Sequence, residues 1–280
     1  CSACSRLYLH ESVKPEFMNR FMMKVTSAIV GHPADKDTTM GPIINELLAP
    51  GFSASAITGR SPDDVKAAVA DADYAVWWDL PITADVVAAA PRIKLFHKWG
   101  VGIDNIDLDA CRARGIKVAR TTGSNATPVA EFAVGLMIAL ARKIVFAHNT
   151  TVAGGWAKNE VWKQSKLVSG KTVGIVGLGS IGKGVARRVA GFDCRILYTN
   201  RNRISAAEEQ ALGVTFAPLD QLLAESDIVS LNCPLTEATK GMINAAALAK
   251  MKKGALLVNV ARGGVVVEAD LVEALKSGHL

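Results

Sequence analysis

Short, uninterrupted apolar segments alternate along the chain with segments whose apolar residues recur every three or four positions. The first kind predicts buried strands and the second predicts helices packed on them. Strands and helices that alternate at this rhythm predict βαβ units and parallel sheets, so the fold class is α/β. The predicted strands are residues 24–30, 74–78, 93–97, 116–119, 172–176, 195–199, 214–216, 227–232 and 255–259. The predicted helices are 40–48, one opening at Pro62, 83–90, 108–114, one opening at Thr127–Pro128 and reaching about Ala147, 180–190, 205–212, 219–224, 245–251 and 268–276. Thr127 is the predicted N-cap of the helix that opens there, and residues 154–169 are predicted to form a loop.

Between strand 172–176 and helix 180–190 the chain reads Gly177-Leu-Gly179-Ser-Ile-Gly182, the G-x-G-x-x-G pattern. In a strand-turn-helix the first glycine permits the tight turn, the second lets a pyrophosphate approach the backbone, and the third lets helix and strand pack closely. The free N–H groups and positive dipole end of the helix then face the phosphates. Because a strand precedes the pattern and a helix and a second strand follow it, we interpret it as a Rossmann dinucleotide-binding unit rather than an ordinary glycine turn.

The end of the second strand of such a unit selects between NAD and NADP. An acidic residue about 20 positions beyond the glycines binds the ribose hydroxyls of NAD. Here the strand ends in Asn200, followed by Arg201 and Arg203, with no acid present. Guanidinium groups bind a 2′-phosphate through charge-assisted hydrogen bonds, whereas a carboxylate repels it. We therefore predict NADP as the preferred cofactor and NAD as the second choice; the alternative is that both arginines are solvated loop residues.

Arg262 follows the buried strand 255–259 and is flanked by Gly263 and Gly264. Ligands of open α/β sheets bind beyond the carboxyl ends of the strands, where an arginine is suited to hold a carboxylate. A surface arginine in a glycine turn is the equal alternative.

Composition narrows the class of protein. Of 280 residues, 50% are hydrophobic and 21% are charged, which is typical of a globular protein with room for two domains. The net charge of +6 is scattered, so we predict no nucleic-acid binding. The longest apolar run, 132–141, is too short to span a bilayer, and no signal peptide is visible. Five scattered cysteines indicate reduced thiols and no metal site, so we predict a cytoplasmic protein.

A polar joint at residues 121–125 separates two series of βα units. We place a substrate (catalytic) domain at 23–123 and the dinucleotide-binding domain at 124–280. Residues 1–22 show no helix or strand period and precede a clean strand, so we expect an unstructured or spurious leader. The chain stops directly after helix 268–276, where a parallel sheet would add its next strand, so we expect a C-terminal truncation.

Several segments together resemble the D-isomer-specific 2-hydroxyacid dehydrogenases, including phosphoglycerate dehydrogenases and glyoxylate/hydroxypyruvate reductases. The resemblance runs from about Lys24 to Leu280. Its segments are the glycine motif with Ala186, residues 226–236 with Thr239 and Asn244, residues 253–263, the loop 100–107, and residues 129–131. The resemblance implies two Rossmann-like domains with doubly wound parallel sheets and an active site in the cleft between them.

The resemblance also implies roles for residues at matching positions. Arg262 would hold the substrate carboxylate and polarise the carbonyl that accepts a hydride. Backbone N–H groups of Val101 and Gly102 would bind the same carboxylate in a pocket shaped by Lys98 and Trp99. Ser180 and Ile181 would contact the pyrophosphate. The remaining matches line the adenosine and nicotinamide sites and are Cys233, Pro234, Thr239, Val260 and Ala261, with packing as the equal alternative for Cys233.

One expected part of the family's machinery is not found. Its proton donor is a histidine in a Pro-His segment supported by a glutamate, and both would lie beyond Leu280. His97, beside the substrate loop, is a possible substitute, although a structural histidine is the better interpretation. We therefore predict that these 280 residues do not turn over substrate. None of the five histidines follows a proline; they are His10, His32, His97, His148 and His279.

The leading hypothesis is a reductase of small 2-oxo acids, such as glyoxylate or hydroxypyruvate, that prefers NADPH. A phosphoglycerate-type NAD-dependent dehydrogenase is the alternative within the class. A non-catalytic cofactor sensor, like the co-repressors that share this fold, is the alternative from another class. Family analogy further predicts a homodimer packed through the dinucleotide-binding domain. The apolar helix after Pro128 is consistent with this, although burial of the helix within one monomer explains its composition equally well.

Overall fold

The computed structural model describes residues 55–57 and 59–280. The predicted leader 1–22, strand 24–30 and helix 40–48 lie outside these residues. The described chain divides into two compact units, one ending at Thr121 and the other running from Thr122 to Leu280. The division falls within the polar joint 121–125.

In the residues that the structure describes, the first unit contains a three-stranded parallel sheet and three helices. Its strand order is β1-β2-β3, and Phe96 in the central strand is fully buried. Each helix begins where the sequence supplies a capping side chain, namely Ser61, Thr83 and Asp107, because these oxygens accept bonds from first-turn N–H groups. The elements are α1 (Pro62–Val69), β1 (Tyr74–Trp77), α2 (Ala84–Ala88), β2 (Leu95–Lys98), α3 (Leu108–Ala113) and β3 (Lys117–Arg120).

The second unit is a five-stranded parallel sheet in the order β6-β5-β4-β7-β8. Because the first strand of the unit, β4, lies between β5 and β7, the chain winds outwards in both directions from β4. This arrangement creates a crevice at the carboxyl ends of β4 and β7, where doubly wound sheets bind ligands. The elements are α4 (Ala126–Ala141), α5 (Ile144–Val152), α6 (Lys158–Gln164), β4 (Thr172–Val176), α7 (Ser180–Val189), β5 (Arg195–Thr199), α8 (Ala206–Leu212), β6 (Val214–Phe216), α9 (Leu219–Glu225), β7 (Ile228–Leu231), α10 (Ala245–Lys250), β8 (Leu256–Asn259) and α11 (Glu268–Lys276).

The hydrophobic core of this unit fills both faces of the sheet. On one face α4 and α7 pack against β4, with Met137 and Val185 fully buried; on the other, Leu222 and Leu248 are buried. Close packing of α7 on α4 depends on Gly184, because a Cβ there would lie 2.8 Å from the Cβ of Ala130. The position of α7, and hence of its N-terminus at the crevice, follows from this contact.

Three predictions about the segment after the joint are wrong. The single helix expected to reach about Ala147 is two helices, because Lys143 adopts a left-handed conformation with φ of 55° between α4 and α5. The apolar run continues across this break, so hydrophobic periodicity gives no sign of it. The cap is Asn125, not Thr127, and its side chain makes no capping bond. Residues 154–169, expected to form a loop, contain α6.

The helices of the described residues include none that combines the length and apolar character needed to cross a membrane.

Candidate functional site

The glycine turn after β4 has the backbone geometry that its sequence requires. Gly177 has φ of 94°, a conformation that L side chains rarely adopt. A Cβ on Gly177 would lie 2.7 Å from the backbone nitrogen of Cys233, so the ends of β4 and β7 approach as closely as glycine allows. The Gly177 N–H donates to the Thr199 carbonyl at 3.0 Å, which joins the turn to the end of β5.

The other two glycines of the motif face different surroundings. A Cβ on Gly182 would collide with the carbonyl oxygen of Gly177, so this residue is needed for the helix to pack on the turn. A Cβ on Gly179 would meet no atom within 4 Å, because this residue faces open space. It caps α7 without a side-chain hydrogen bond, leaving the first-turn N–H groups of Ser180 and Ile181 without a capping side chain. The geometry fits a pyrophosphate held against this backbone and stabilised by the helix dipole.

Asn200, at the end of β5, uses its side-chain amide to hold the loop. Its Oδ1 accepts a 2.7 Å hydrogen bond from the Leu178 N–H in the glycine turn. Asn200 therefore accepts the hydrogen bond that a carboxylate could also accept at this position, but it carries no negative charge. Among the described residues, no group accepts a hydrogen bond from the Asn200 Nδ2.

The two arginines that follow have different environments. Arg201 is exposed, and the described residues supply no ion pair to it. Arg203 forms a bidentate ion pair with Glu209 in α8, with its Nε and Nη2 each 2.8 Å from a carboxylate oxygen. Its guanidinium lies 5.5 Å from the centre of the Phe216 ring. The two arginines predicted to bind a 2′-phosphate thus differ in their ion-pair partners within the described residues.

Glu209 is a residue that sequence reasoning missed. It is 9% exposed, and it also accepts a 2.6 Å hydrogen bond from the hydroxyl of the fully buried Tyr198. Hydrogen bonds from Arg203 and then from Tyr198 lower the pKa of Glu209 to about 2. Burial and the neighbouring Glu209 raise the pKa of Tyr198. In a helix rich in acids no sequence signal marks the glutamate that points inward.

The residues that follow β7 lie beside the glycine turn. Cys233 is 8% exposed, and burial raises the pKa of its thiol, so it stays a neutral small side chain. Pro234 is exposed. The Thr239 hydroxyl donates to the Pro234 carbonyl at 2.6 Å and accepts from the Thr236 N–H at 2.8 Å. Thr239 therefore closes the loop that carries Cys233 and Pro234.

The end of β8 presents Arg262 at the same edge of the sheet. Val260 and Ala261 are half-buried, whereas Arg262 is exposed. Asn259, whose role was also missed, accepts from the Ala261 N–H and donates to the Arg262 carbonyl, both at 3.0 Å. These two bonds fix the backbone on which Arg262 stands. An asparagine at the end of a strand is a weak signal in sequence, because any polar residue is acceptable there.

In the first unit the predicted substrate residues lie at the last position of β2 and on the loop that follows it. Lys98 is 6% exposed, with its Nζ 5.6 Å from the Trp77 ring centre and 3.4 Å from Asn105 Oδ1. Trp99 is 42% exposed, and Gly100 has φ of 148°. Arg120 donates to the Val101 carbonyl at 3.2 Å, and Val101 and Gly102 are half-buried.

His97 Nε2 lies 3.1 Å from the Thr121 hydroxyl, so this histidine joins β2 to the end of β3. This contact agrees with the structural interpretation of His97. In the described part of the chain no group of three or more histidine, cysteine or acidic side chains could hold a metal ion.

Residues 134–280 match the family described as D-isomer specific 2-hydroxyacid dehydrogenase, NAD binding domain. The match covers more than half of the chain and includes every strand of the second unit. The chain belongs to this dehydrogenase family. The predicted family and the α/β fold with parallel sheets are confirmed.

Relatives of this chain carry several activities in their names. A formate dehydrogenase of Chaetomium thermophilum is 44% identical over 203 residues, covering 71% of this chain and 55% of the relative. A glyoxylate reductase of Thermococcus kodakarensis is 45% identical over 204 residues, covering 71% and 61%. The solved structure of a Granulicella formate dehydrogenase aligns with a TM-score of 0.73 and 38% identity, over 76% of this chain and 57% of that one.

The chain spans a little over half the length of these relatives. Residues 1–51 match a different family, described as aldehyde dehydrogenase. They lie outside the residues that the structure describes, and they overlap the predicted leader and the start of the predicted substrate domain.

Proposed function

We propose that this chain binds a nicotinamide dinucleotide and a small 2-oxo or 2-hydroxy acid for hydride transfer between them, with NADPH as the preferred cofactor and glyoxylate or hydroxypyruvate as the first substrates to test. The observation that carries the cofactor choice is the end of β5, where a neutral Asn200 and an exposed Arg201 stand in place of an acid. A 2′-phosphate meets no carboxylate at these two positions. The glyoxylate reductase relative supports the substrate class.

The nicotinamide dinucleotide, when bound, supplies the hydride. The glycine turn and the first turn of α7 would hold its pyrophosphate through backbone N–H groups at Gly179, Ser180 and Ile181. Cys233, kept neutral by burial, and Pro234 form an apolar wall beyond β7.

Arg262 holds the substrate carboxylate and polarises the adjacent carbonyl, because a guanidinium offers paired donors to a carboxylate and keeps its positive charge at physiological pH. We propose substrate-binding roles for Lys98, Trp99, Val101 and Gly102 as well. Thr239 and Val260 complete the cofactor site in this proposal, the first by closing its loop and the second by packing.

Binding measurements test this proposal without requiring turnover. We expect isothermal titration to show NADPH binding more tightly than NADH, and glyoxylate binding to the protein saturated with NADP⁺. Arg262→Gln is expected to weaken glyoxylate by about ten- to a hundredfold, the loss of a charged hydrogen bond, and to leave NADPH affinity unchanged. Arg187→Gln, at the far end of α7, is the matched control and is expected to change neither. Failure to bind either dinucleotide would refute the proposal.

Formate dehydrogenation is a second candidate, favoured by the 44% identity to the Chaetomium enzyme. Formate has a carboxylate that Arg262 could bind, but it has no second carbon and therefore no 2-oxo or 2-hydroxy group. Titrating formate beside glyoxylate into the NAD⁺ and NADP⁺ complexes separates the two functions, because only one of the two acids is expected to bind tightly.

We also propose that the protein is a homodimer. Bulky apolar side chains of α4, α5 and the segment through α6 remain exposed in the single chain, notably Phe132 (63%), Val145 (62%) and Trp162 (79%). Exposed apolar area of this kind marks association surfaces. Sedimentation equilibrium is expected to give twice the chain mass, and a Trp162→Glu variant is expected to shift the equilibrium towards the monomer.

A further inference from the structure

Four side chains form a closed cluster beneath the loop that follows β5. They are Tyr198, Arg203, Glu209 and Phe216, and we refer to them as the Glu209 cluster. Three donors surround the Glu209 carboxylate: Arg203 Nε and Nη2 at 2.8 Å and the Tyr198 hydroxyl at 2.6 Å. The Phe216 ring packs edge-on against Tyr198, with ring centres 5.5 Å apart, and lies under Arg203. Every charged group of the cluster has its partner inside it.

The cluster fixes the loop between β5 and α8 at its far end. The Ile204 N–H donates to the Tyr198 hydroxyl at 3.2 Å, so the backbone after Arg203 is bound to the same network. At the near end, Asn200 is bound to the glycine turn through Leu178. Between Asn200 and Arg203 lie only Arg201 and Asn202, and both are exposed.

Arg203 is therefore poorly suited to be the principal ligand of a 2′-phosphate. Its Nε–Nη2 edge is occupied by Glu209, and only its outer edge faces solvent. The Glu209 charge opposes that of Arg203 at hydrogen-bond distance, so an anion approaching the outer edge meets a nearly neutral pair. Arg201, in contrast, has no carboxylate paired with it among the described residues.

We propose that Glu209, acting through Arg203, is a positioning residue that limits discrimination between 2′-phosphorylated and unphosphorylated dinucleotides, and that Arg201 is the guanidinium that contacts the 2′-phosphate. The inference rests on the proposed dinucleotide site and refines its specificity. Glu209 holds the loop in place. Its negative charge also offsets the positive charge of Arg203, so that Arg203 attracts a 2′-phosphate less strongly. Removing only the Glu209 charge would restore the attraction between Arg203 and a 2′-phosphate.

The decisive quantity is the ratio of dissociation constants for NADH and NADPH, measured by isothermal titration on the whole chain. Arg201→Gln is expected to lower this ratio by about ten- to a hundredfold, the effect of one charged hydrogen bond. Glu209→Gln keeps the size of the side chain and is expected to raise the ratio by roughly three- to tenfold, because a negative charge near the phosphate is removed. A rise in salt concentration is expected to reduce this gain.

Two further variants separate positioning from a general structural role. The double variant Arg203→Gln with Glu209→Gln replaces a neutral ion pair by a neutral amide pair, and its ratio is expected to stay within about threefold of the parent, since the net charge is unchanged. Glu225→Gln is the matched control. Glu225 pairs with Arg195 at 2.7 Å, at the opposite end of β5, and its loss is expected to leave the ratio unchanged. Far-UV circular dichroism identifies any variant that does not fold.

The outcomes distinguish this inference from the proposed function. A parent chain that binds neither dinucleotide overturns both. A parent chain that binds NADPH, together with a folded Glu209→Gln variant whose ratio is unchanged, overturns the role of Glu209 and leaves the dinucleotide site standing. A double variant that loses preference as fully as Arg201→Gln would show that Arg203 itself holds the phosphate, which also overturns the inference.

Discussion

The glycine turn allows the demands of folding and of cofactor binding to be measured separately, because its first two glycines differ in what surrounds them. Gly177→Ala places a side chain at φ of 94°, with its Cβ 2.7 Å from the Cys233 nitrogen and 2.8 Å from its Cα. The backbone conformation costs about 1–3 kcal/mol and the overpacking about 1–3 kcal/mol. We expect the free energy of unfolding to fall by about 2–6 kcal/mol.

Gly179→Ala is the matched variant with the same added methyl group. Gly179 has φ of −80° and ψ of −162°, which alanine adopts freely, and no atom lies within 4 Å of the position its Cβ would take. Its loss as helix cap costs at most about 1 kcal/mol. Its methyl group would occupy the space where a pyrophosphate approaches the backbone, so we expect NADPH affinity to fall by about ten- to a hundredfold.

Urea unfolding followed by circular dichroism and titration with NADPH measure the two effects. For a urea m-value of about 2 kcal/mol/M, a 4 kcal/mol loss lowers the midpoint of Gly177→Ala by about 2 M. An unchanged midpoint for Gly177→Ala would refute the backbone geometry of the turn. A folded Gly179→Ala variant that binds NADPH within threefold of the parent would refute the position of the pyrophosphate.

Three further predictions concern the cluster and the loop after β8. Tyr198→Phe removes a fully buried hydroxyl that donates to a carboxylate, so urea unfolding should show a loss of about 1.5–3 kcal/mol. The pKa of Glu209 is lowered to about 2 in the folded protein, so its stabilisation is present above the ordinary glutamate range, near 4.5, and is lost as the pH falls towards 2. Acid unfolding of Glu209→Gln should therefore depend less steeply on pH than that of the parent, and equal slopes would contradict this. Asn259→Ala removes both bonds that fix the Arg262 backbone, so calorimetry should show weaker glyoxylate binding with NADPH affinity unchanged; equal losses for both ligands would instead indicate a general disturbance of the site.

Local residue patterns determined the alternation of strands and helices, the glycine turn and the polar joint. Each of these depends on neighbours in sequence: a buried strand needs a run of apolar residues, and Gly177 has a conformation that only glycine adopts easily. The predicted strands from 172–176 to 255–259 agree with β4 to β8 to within a residue or two. Matching segments spread along the chain were also sufficient to identify the family.

The tertiary structure decided the features that depend on which side chains meet across elements. The break at Lys143 was hidden because apolar residues continue on both sides of it. Asn259 and Thr239 hold their loops through side-chain hydrogen bonds to nearby backbone groups. A polar residue at such a position in the sequence does not show by itself that these bonds form. The difference between Arg201 and Arg203 depends on Glu209 lying on the inward face of α8, against Tyr198. Charge and spacing predicted that both arginines lie at the cofactor site. Only the packing of α8 showed that Arg203 is paired with the Glu209 carboxylate.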